Sequence, residues 1–154
     1  PAQGKLYSAM VGNGTWVEDN AGNRNRARVS TRSNRSEMTI VTSRNHRGAK
    51  LEEFINILEI STQRRMGGIG CKLAAIVEQD ADLYLSIPGK TAPKDWDFAA
   101  PELILTEAGG KLTYFDGSLI LYNREDVNQW NGIIASNGIC HEEICHLLNI
   151  TSQQ

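Results

Sequence analysis

Asp97 is the strongest candidate for a functional side chain, because a predicted helix begins beside it and holds its carboxylate in place. Apolar side chains recur at helical spacing over residues 99–108, and Gly109-Gly110 ends the run. We expect Asp97 to be the N-cap of this helix, Pro101 to fall in the first turn and Asp95 to be exposed. A carboxylate held there can be a plain cap or a ligand for a hard cation such as Mg²⁺, and the residues alone leave both open.

A glycine-rich turn at residues 67–72, with the sequence GGIGCK, leads into another predicted helix. Such turns present backbone N–H groups to anions, and the helix dipole adds to the attraction. The spacing matches neither a Walker A loop nor a dinucleotide fingerprint. A phosphate site and an ordinary tight turn are both compatible with this stretch.

A third polar stretch, residues 43–46 with the sequence SRNH, follows a predicted buried strand directly. Its hydroxyl, guanidinium, amide and imidazole groups could together hold a phosphate and a base. A solvated loop is the alternative. Residues 140–146, CHEEICH, offer too few ligands for a closed zinc site, so we expect core cysteines and peripheral histidines there.

Composition sets the broad class of the protein. The 154 residues are enough for one domain, with 40% apolar and 22% charged residues. The net charge of −2 does not suggest nucleic acid or a membrane surface as a partner. The 3 cysteines show no disulfide framework, which is typical of a reducing, cytoplasmic protein. No apolar run approaches the ~20 residues of a membrane span.

The order of elements predicts an α/β fold. From residue 38 onward strands and helices alternate, which favours a layered domain with a largely parallel sheet between helices. Ligands bind such sheets beyond the carboxyl ends of the strands, where loops 43–48, 67–72 and 86–97, and in addition 136–140, are expected. Residues 1–35 instead read as short antiparallel strands, and the chain begins with Pro1 rather than Met. We therefore expect a piece of a longer chain.

Two motifs in order resemble a known family. Residues 96–100 (WDFAA) and 107–110 (EAGG) are similar to the W-D-x-A-A and E-A-G-G signature of the inositol monophosphatase superfamily, which consists of metal-dependent phosphatases. Within it, residues 43–46 resemble the S-R-S-H loop of the 3′(2′),5′-bisphosphate nucleotidase branch. Residues 67–72 likewise resemble its G-G-x-G-x-K turn.

The resemblance implies a fold, a reaction and a site. Residues 36–154 would be the C-terminal nucleotide-binding α/β domain of the sugar-phosphatase-type fold, and residues 1–35 remnant strands of the N-terminal metal-binding domain. The implied reaction converts 3′-phosphoadenosine 5′-phosphate to AMP and phosphate with Mg²⁺ as cofactor. Asp97 would bind metal, and the implied substrate-binding residues are Ser43, His46, Gly68, Lys72 and, as a weaker candidate, Lys90.

One departure from the family pattern is an absence. The remaining metal ligands of such enzymes lie in G-E-E and D-P-[IL]-D-G-T segments, and neither occurs in this sequence. We therefore expect no catalytic residue in the chain, no activity on its own, and the missing N-terminal half as its partner, with a homo-oligomer also possible. The alternatives are an inositol monophosphatase and a non-catalytic binding or assembly module.

Overall fold

An antiparallel sheet of three strands begins the chain. The computed structural model describes residues 3–44 and 48–152. The strands are β1 (Leu6–Met10), β2 (Gly14–Glu18) and β3 (Arg24–Ala27), and they lie in that order. Gly12 and Gly14 take positive φ angles of 75° and 78° in the first turn, a conformation that glycine adopts without steric cost.

A second sheet of five strands forms the centre of the molecule. Its strands are β4 (Thr39–Ser43), β5 (Thr62–Met66), β6 (Leu83–Ser86), β7 (Lys111–Tyr114) and β8 (Ile133–Ser136), in the order β5-β4-β6-β8-β7. β4 pairs in parallel with β5 and β6, whereas β8 pairs antiparallel with β6 and β7. All strands but β8 therefore run in one direction, and the predicted, largely parallel sheet is confirmed.

Two helical layers cover the five-stranded sheet. The helices are α1 (Ala49–Ile57), α2 (Ile69–Val77), α3 (Asp95–Glu107) and α4 (His141–Ser152). Buried side chains of α2 and α3 pack with Val41, Tyr84 and Ala135 on one face of the sheet. Those of α1 and α4 pack with Ile40 and Leu83 on the other. The alternation of these side chains along each strand produces the α/β layers that the sequence predicts.

The start of α3 differs from the prediction. The helix begins at Asp95 with Lys94 as its N-cap, so Asp97 is the third residue of the helix and not its cap. Its Oδ2 accepts a hydrogen bond from the Lys94 backbone N–H at 2.8 Å, which is the inner half of a capping box. Pro101 consequently lies inside the helix, where its missing N–H removes one backbone hydrogen bond.

The end of α3 joins the two sheets. Gly109 follows the helix with φ 97°, so the predicted left-handed termination is confirmed. The Glu107 carboxylate accepts hydrogen bonds from the backbone N–H groups of Gly12 and Gly14, both at 2.9 Å. Thr15 also donates its hydroxyl to the Ile104 carbonyl. The three-stranded sheet is thereby attached to the same helix that carries Asp97.

Within the described part of the chain, no helix combines the length and apolar character needed to cross a membrane.

Candidate functional site

Three of the predicted loops follow the carboxyl ends of neighbouring strands. Ser43 is the last residue of β4, is half-buried and pairs in register with Met66 at the end of β5. β6, on the other side of β4, ends at Ser86. His46 lies outside the described residues. The loops after β4, β5 and β6 thus leave one edge of the sheet, as ligand-binding loops of α/β folds do. The placement of residues 136–140 at the same edge is wrong, because β8 runs antiparallel to its neighbours and ends beside the start of β6.

The glycine-rich turn caps α2. Gly68 is the N-cap residue with φ 64° and ψ 136°, a conformation that residues with a side chain rarely adopt. No side chain of the described residues caps this end of the helix. The first N–H groups of a helix lack partners within it, so those of α2 are placed to meet an anion.

Lys72 lies one turn into α2 and is buried, with only 4% of its surface exposed. Its Nζ lies 4.8 Å from the centroid of the Tyr84 ring. Among the residues that the structure describes, no carboxylate forms an ion pair with this ammonium. Burial lowers the pKa of Lys72, because a charge removed from water is disfavoured. A bound anion would offset this cost.

Tyr84 links Lys72 to the start of α3. Burial raises the pKa of the Tyr84 hydroxyl to about 12, and the negative charge of Asp97 acts in the same direction, against a hydrogen bond with Ser86. The Asp97 carboxylate is therefore close enough for its charge to act on the ring that Lys72 contacts. The structure brings together Lys72, Tyr84 and Asp97 from α2, β6 and α3.

Asp97 fits a hard cation only in part. Its Oδ2 is engaged by the Lys94 N–H, and carboxylate oxygens are the ligands that Mg²⁺ prefers. In residues 3–44 and 48–152, no group of three or more histidine, cysteine, aspartate or glutamate side chains could hold a metal ion. Asp97 could thus supply one ligand, and the others would have to come from outside this part of the chain.

Lys90 stands apart from the cluster. It is exposed in the loop between β6 and α3. Within its turn, the Gly89 N–H donates a hydrogen bond to the Thr91 carbonyl at 3.3 Å. No contact of Lys90 with Lys72 or Asp97 is seen in the described regions. The structure leaves it as a solvated cation beside the site.

Asp95 was expected to be exposed, and that expectation is wrong. The side chain is half-buried, and its Oδ1 accepts a hydrogen bond from Gln129 Nε2 at 2.6 Å. Its Oδ2 accepts from the Asn123 backbone N–H at 2.7 Å. Sequence reasoning did not identify Gln129, because a glutamine 34 residues away carries no local signal of this contact.

His141 is a second correction, because it is buried and not peripheral. Its Nδ1 lies 2.7 Å from Ser136 Oγ and its Nε2 lies 2.8 Å from Thr113 Oγ1. Thr113 donates its hydroxyl to the Tyr114 carbonyl, so it accepts from Nε2–H. The neutral imidazole is satisfied on both nitrogens and joins α4 to β7 and β8. It is therefore a structural residue and not a free metal ligand.

Comparison with known proteins gives one family. A sequence model described as the inositol monophosphatase family matches residues 1–153. The 3′(2′),5′-bisphosphate nucleotidase 1 of Mus musculus is 38% identical over 87 residues, which are 56% of this chain and 27% of that protein. Inositol monophosphatase 3 of Xenopus tropicalis is 29% identical over 151 residues, 92% of this chain and 40% of that protein. The chain thus spans less than half the length of either relative.

Solved structures show the same fold. The extragenic suppressor protein SuhB from Bartonella henselae superposes with a TM-score of 0.71 at 26% identity, covering 94% of this chain and 52% of that one. An inositol monophosphatase from Anabaena superposes with a TM-score of 0.69 at 24% identity, covering 95% and 54%. About half of each of those chains has no counterpart here.

Proposed function

The chain belongs to the inositol monophosphatase family, and we propose that it is the nucleotide-binding half of a Mg²⁺-dependent 3′(2′),5′-bisphosphate nucleotidase. The complete enzyme would remove the 3′-phosphate from 3′-phosphoadenosine 5′-phosphate and leave AMP. Residues 36–154 would form the nucleotide-binding domain. Residues 1–35 would be strands of the sheet that continues into the metal-binding half.

The buried ammonium of Lys72 is the observation that carries this proposal. A buried cation without a carboxylate partner is costly unless another group compensates it. Lys72 lies in the same helical turn as Gly68, where backbone N–H groups point out of the helix. A phosphate group of the nucleotide supplies the missing negative charge and accepts from both kinds of donor.

Asp97 is proposed to bind the metal beside that phosphate. The hydrogen bond from Lys94 N–H to Oδ2 fixes the carboxylate against the first turn of α3. When bound, Mg²⁺ polarises phosphoryl oxygens and lowers the pKa of a bound water. The chain contributes only this carboxylate, so the 154 residues are expected to bind nucleotide without hydrolysing it.

The nucleotide rather than the inositol substrate is favoured by two loops. Residues 43–46 and 67–72 carry the nucleotidase-like sequences, and we assign Ser43 and His46 to contacts with the nucleoside part. Lys90, solvated in the third loop, is a candidate for the second phosphate. The relatives named bisphosphate nucleotidase 1, from mouse and human, are 38% and 34% identical over their matched regions.

An inositol monophosphatase is the second candidate. The relative of that name from Xenopus tropicalis matches 92% of this chain, more than the nucleotidases do, although at a lower identity of 29%. The two functions share the metal-binding carboxylate and the phosphate turn. They differ in whether the loops after β4 and β5 receive an adenine nucleotide.

Calorimetry with the 154-residue chain tests the proposal. AMP should bind, and inositol 1-phosphate should bind at least about tenfold more weakly, a difference of about 1.4 kcal/mol. Lys72→Met should weaken AMP binding by about tenfold or more, whereas Lys50→Met, in α1 on the other face of the central sheet, should not change it. Equal AMP affinity in Lys72→Met would contradict the phosphate assignment. Release of phosphate from 3′-phosphoadenosine 5′-phosphate by the 154-residue chain with Mg²⁺ would contradict the expectation that the chain is inactive on its own.

A further inference from the structure

We propose that Gln129 is a positioning residue for Asp97, an inference that rests on the proposed metal-binding role of that carboxylate. Gln129 lies in the long connection between β7 and β8, far from Asp97 in sequence. It acts through Asp95, the first residue of α3. Together with Tyr114, these residues hold the first turn of the helix in one conformation.

Asp95 is the residue of α3 that the connection between β7 and β8 binds by hydrogen bonds. One carboxylate oxygen accepts from Gln129 Nε2 at 2.6 Å and the other accepts from the Asn123 N–H at 2.7 Å. Both oxygens are therefore committed to residues of the same connection. These two hydrogen bonds fix the Asp95 side chain, and with it the backbone two residues before Asp97.

The Gln129 amide has one possible orientation. The side chain is fully buried, with 0% of its surface exposed. Its Nε2 also donates to the Leu121 carbonyl at 2.9 Å, and its Oε1 accepts from the Tyr114 hydroxyl at 2.6 Å. A carboxylate and a carbonyl only accept hydrogen bonds, so Nε2 must face Asp95 and Leu121. The buried amide thus donates two hydrogen bonds and accepts one, and this network holds it rigidly.

Backbone hydrogen bonds also join the start of α3 to this connection. The Asp95 N–H donates to the Val127 carbonyl at 3.0 Å, and the Gln129 N–H donates to the Pro93 carbonyl at 2.8 Å. Lys94 and Asn128 form an isolated antiparallel bridge between these contacts. The N-cap residue is thus held by the connection on one side and by Asp97 Oδ2 on the other.

This arrangement matters for a ligand because helix termini fray. The first turn lacks the backbone hydrogen bonds that hold the middle of a helix. A carboxylate on a fraying turn would have to be ordered when metal binds, at a cost in affinity. Groups that orient a metal ligand commonly contribute about 10–100-fold in affinity, and Gln129 has the geometry to do so without contacting the metal.

Paramagnetic broadening by Mn²⁺ tests the inference, because it detects weak binding at a single oxygen ligand and needs no catalytic activity. In the 154-residue chain, Mn²⁺ should broaden the Asp97 amide and the Trp96 indole N–H signals. Gln129→Met keeps the side-chain length but cannot donate, and the Mn²⁺ concentration for half-broadening should rise about tenfold. Asp97→Asn should abolish the effect, and Gln63→Met, an exposed glutamine on β5, should leave it unchanged.

The outcomes separate this inference from the proposed function. Unchanged broadening in a folded Gln129→Met would overturn the positioning role alone. Absence of broadening at Asp97 in the parent chain would show that this carboxylate does not bind the cation without further ligands and would overturn the inference, whereas AMP binding in calorimetry would leave the proposed nucleotide function standing. Should Gln129→Met fail to fold, Tyr114→Phe removes only the hydroxyl that orients the amide and should raise the midpoint by a smaller factor, about threefold. No rise in that variant would also overturn the positioning role.

Discussion

Arg32 Nε lies 3.0 Å from both carboxylate oxygens of Asp82, which is 50 residues farther along the chain. Asp82 is fully buried and also accepts from the Ser30 hydroxyl and, at 2.9 Å, from the Thr39 N–H. Asn137, after β8, donates to Ser30 Oγ at 3.1 Å. One carboxylate thereby fastens the segment after β3 to the central sheet.

Replacing this carboxylate should destabilise the whole fold. Asp82→Ala leaves the Ser30 and Thr39 donors unsatisfied and Arg32 without its partner, so the free energy of unfolding should fall by about 3 kcal/mol. Urea denaturation measures the change. Asp80→Ala breaks an exposed ion pair with Arg64 and should change stability by less than about 0.5 kcal/mol. Equal effects of the two substitutions would contradict the role of Asp82.

Acid should weaken the attachment of α4. Burial, with the nearby Lys111 charge and against that of Glu142, lowers the pKa of His141 to about 4 from an ordinary 6.5. Between these values the unfolded chain binds a proton that the folded chain does not. Stability from this group is therefore complete above about pH 6.5, falls as the pH drops and is lost below about pH 4.

A variant that lacks only His141 isolates this effect. In His141→Asn, the loss of stability between pH 7 and pH 4.5 should be smaller than in the parent chain by about 2 kcal/mol. Urea denaturation at several pH values gives both curves, and the carboxylates contribute equally to each. Parallel curves would show that His141 does not titrate in this window.

Thr42 offers a stabilising substitution. Its Oγ1 is buried, and no hydrogen-bond partner is recorded for it, alone among the buried side-chain polar atoms of the described residues. Thr42→Val keeps the shape and removes the unpaired hydroxyl, so it should raise the free energy of unfolding by about 1 kcal/mol. Thr113→Val is the matched control, because that hydroxyl contacts His141 and the Tyr114 carbonyl, and it should lower stability. A loss of stability in both variants would contradict the prediction for Thr42.

Lys72 should show opposite effects on stability and on binding. Lys72→Met removes a buried charge that has no carboxylate partner in the described structure, so the melting temperature without ligand should rise by about 2–4 °C. AMP should then raise the melting temperature of the parent chain more than that of the variant. If Lys72→Met were less stable than the parent chain, the Lys72 ammonium would have a stabilising partner within the fold, which would contradict its assignment to anion binding.

Local sequence signals account for most of the secondary structure. Glycines ended α3 where expected, the apolar spacing over residues 99–108 located that helix, and the helix expected after the glycine-rich turn is α2. The predicted N-cap of α3, Asp97, lies three residues after the observed N-cap, Lys94, because an aspartate serves equally well as N-cap or as third residue of a capping box. The hydrogen bond from the Lys94 N–H to Asp97 Oδ2 decides between these two roles, and it cannot be read from the sequence.

The contacts that organise the candidate site are long-range, and this limits prediction from sequence. Lys72 and Asp97 were identified as site residues from motif resemblance, whereas Tyr84, whose ring Lys72 contacts, looked like an ordinary strand residue. The partners of Asp82, Asp95 and His141 depend on which strands become neighbours. Strand order follows from the packing of the whole chain and not from any local window.

The reversed direction of β8 has a consequence for how such a protein can vary. Because Ile133 pairs with both Ser86 and Tyr114, residues 115–132 leave and re-enter the sheet at adjacent strands, on the edge where β6 also ends. A parallel β8 would have required a crossover to the opposite edge. Doubling the length of a loop closed between neighbouring strands costs only about 0.6 kcal/mol. This rim is therefore where insertions could reshape ligand selectivity while the sheet beneath stays unchanged.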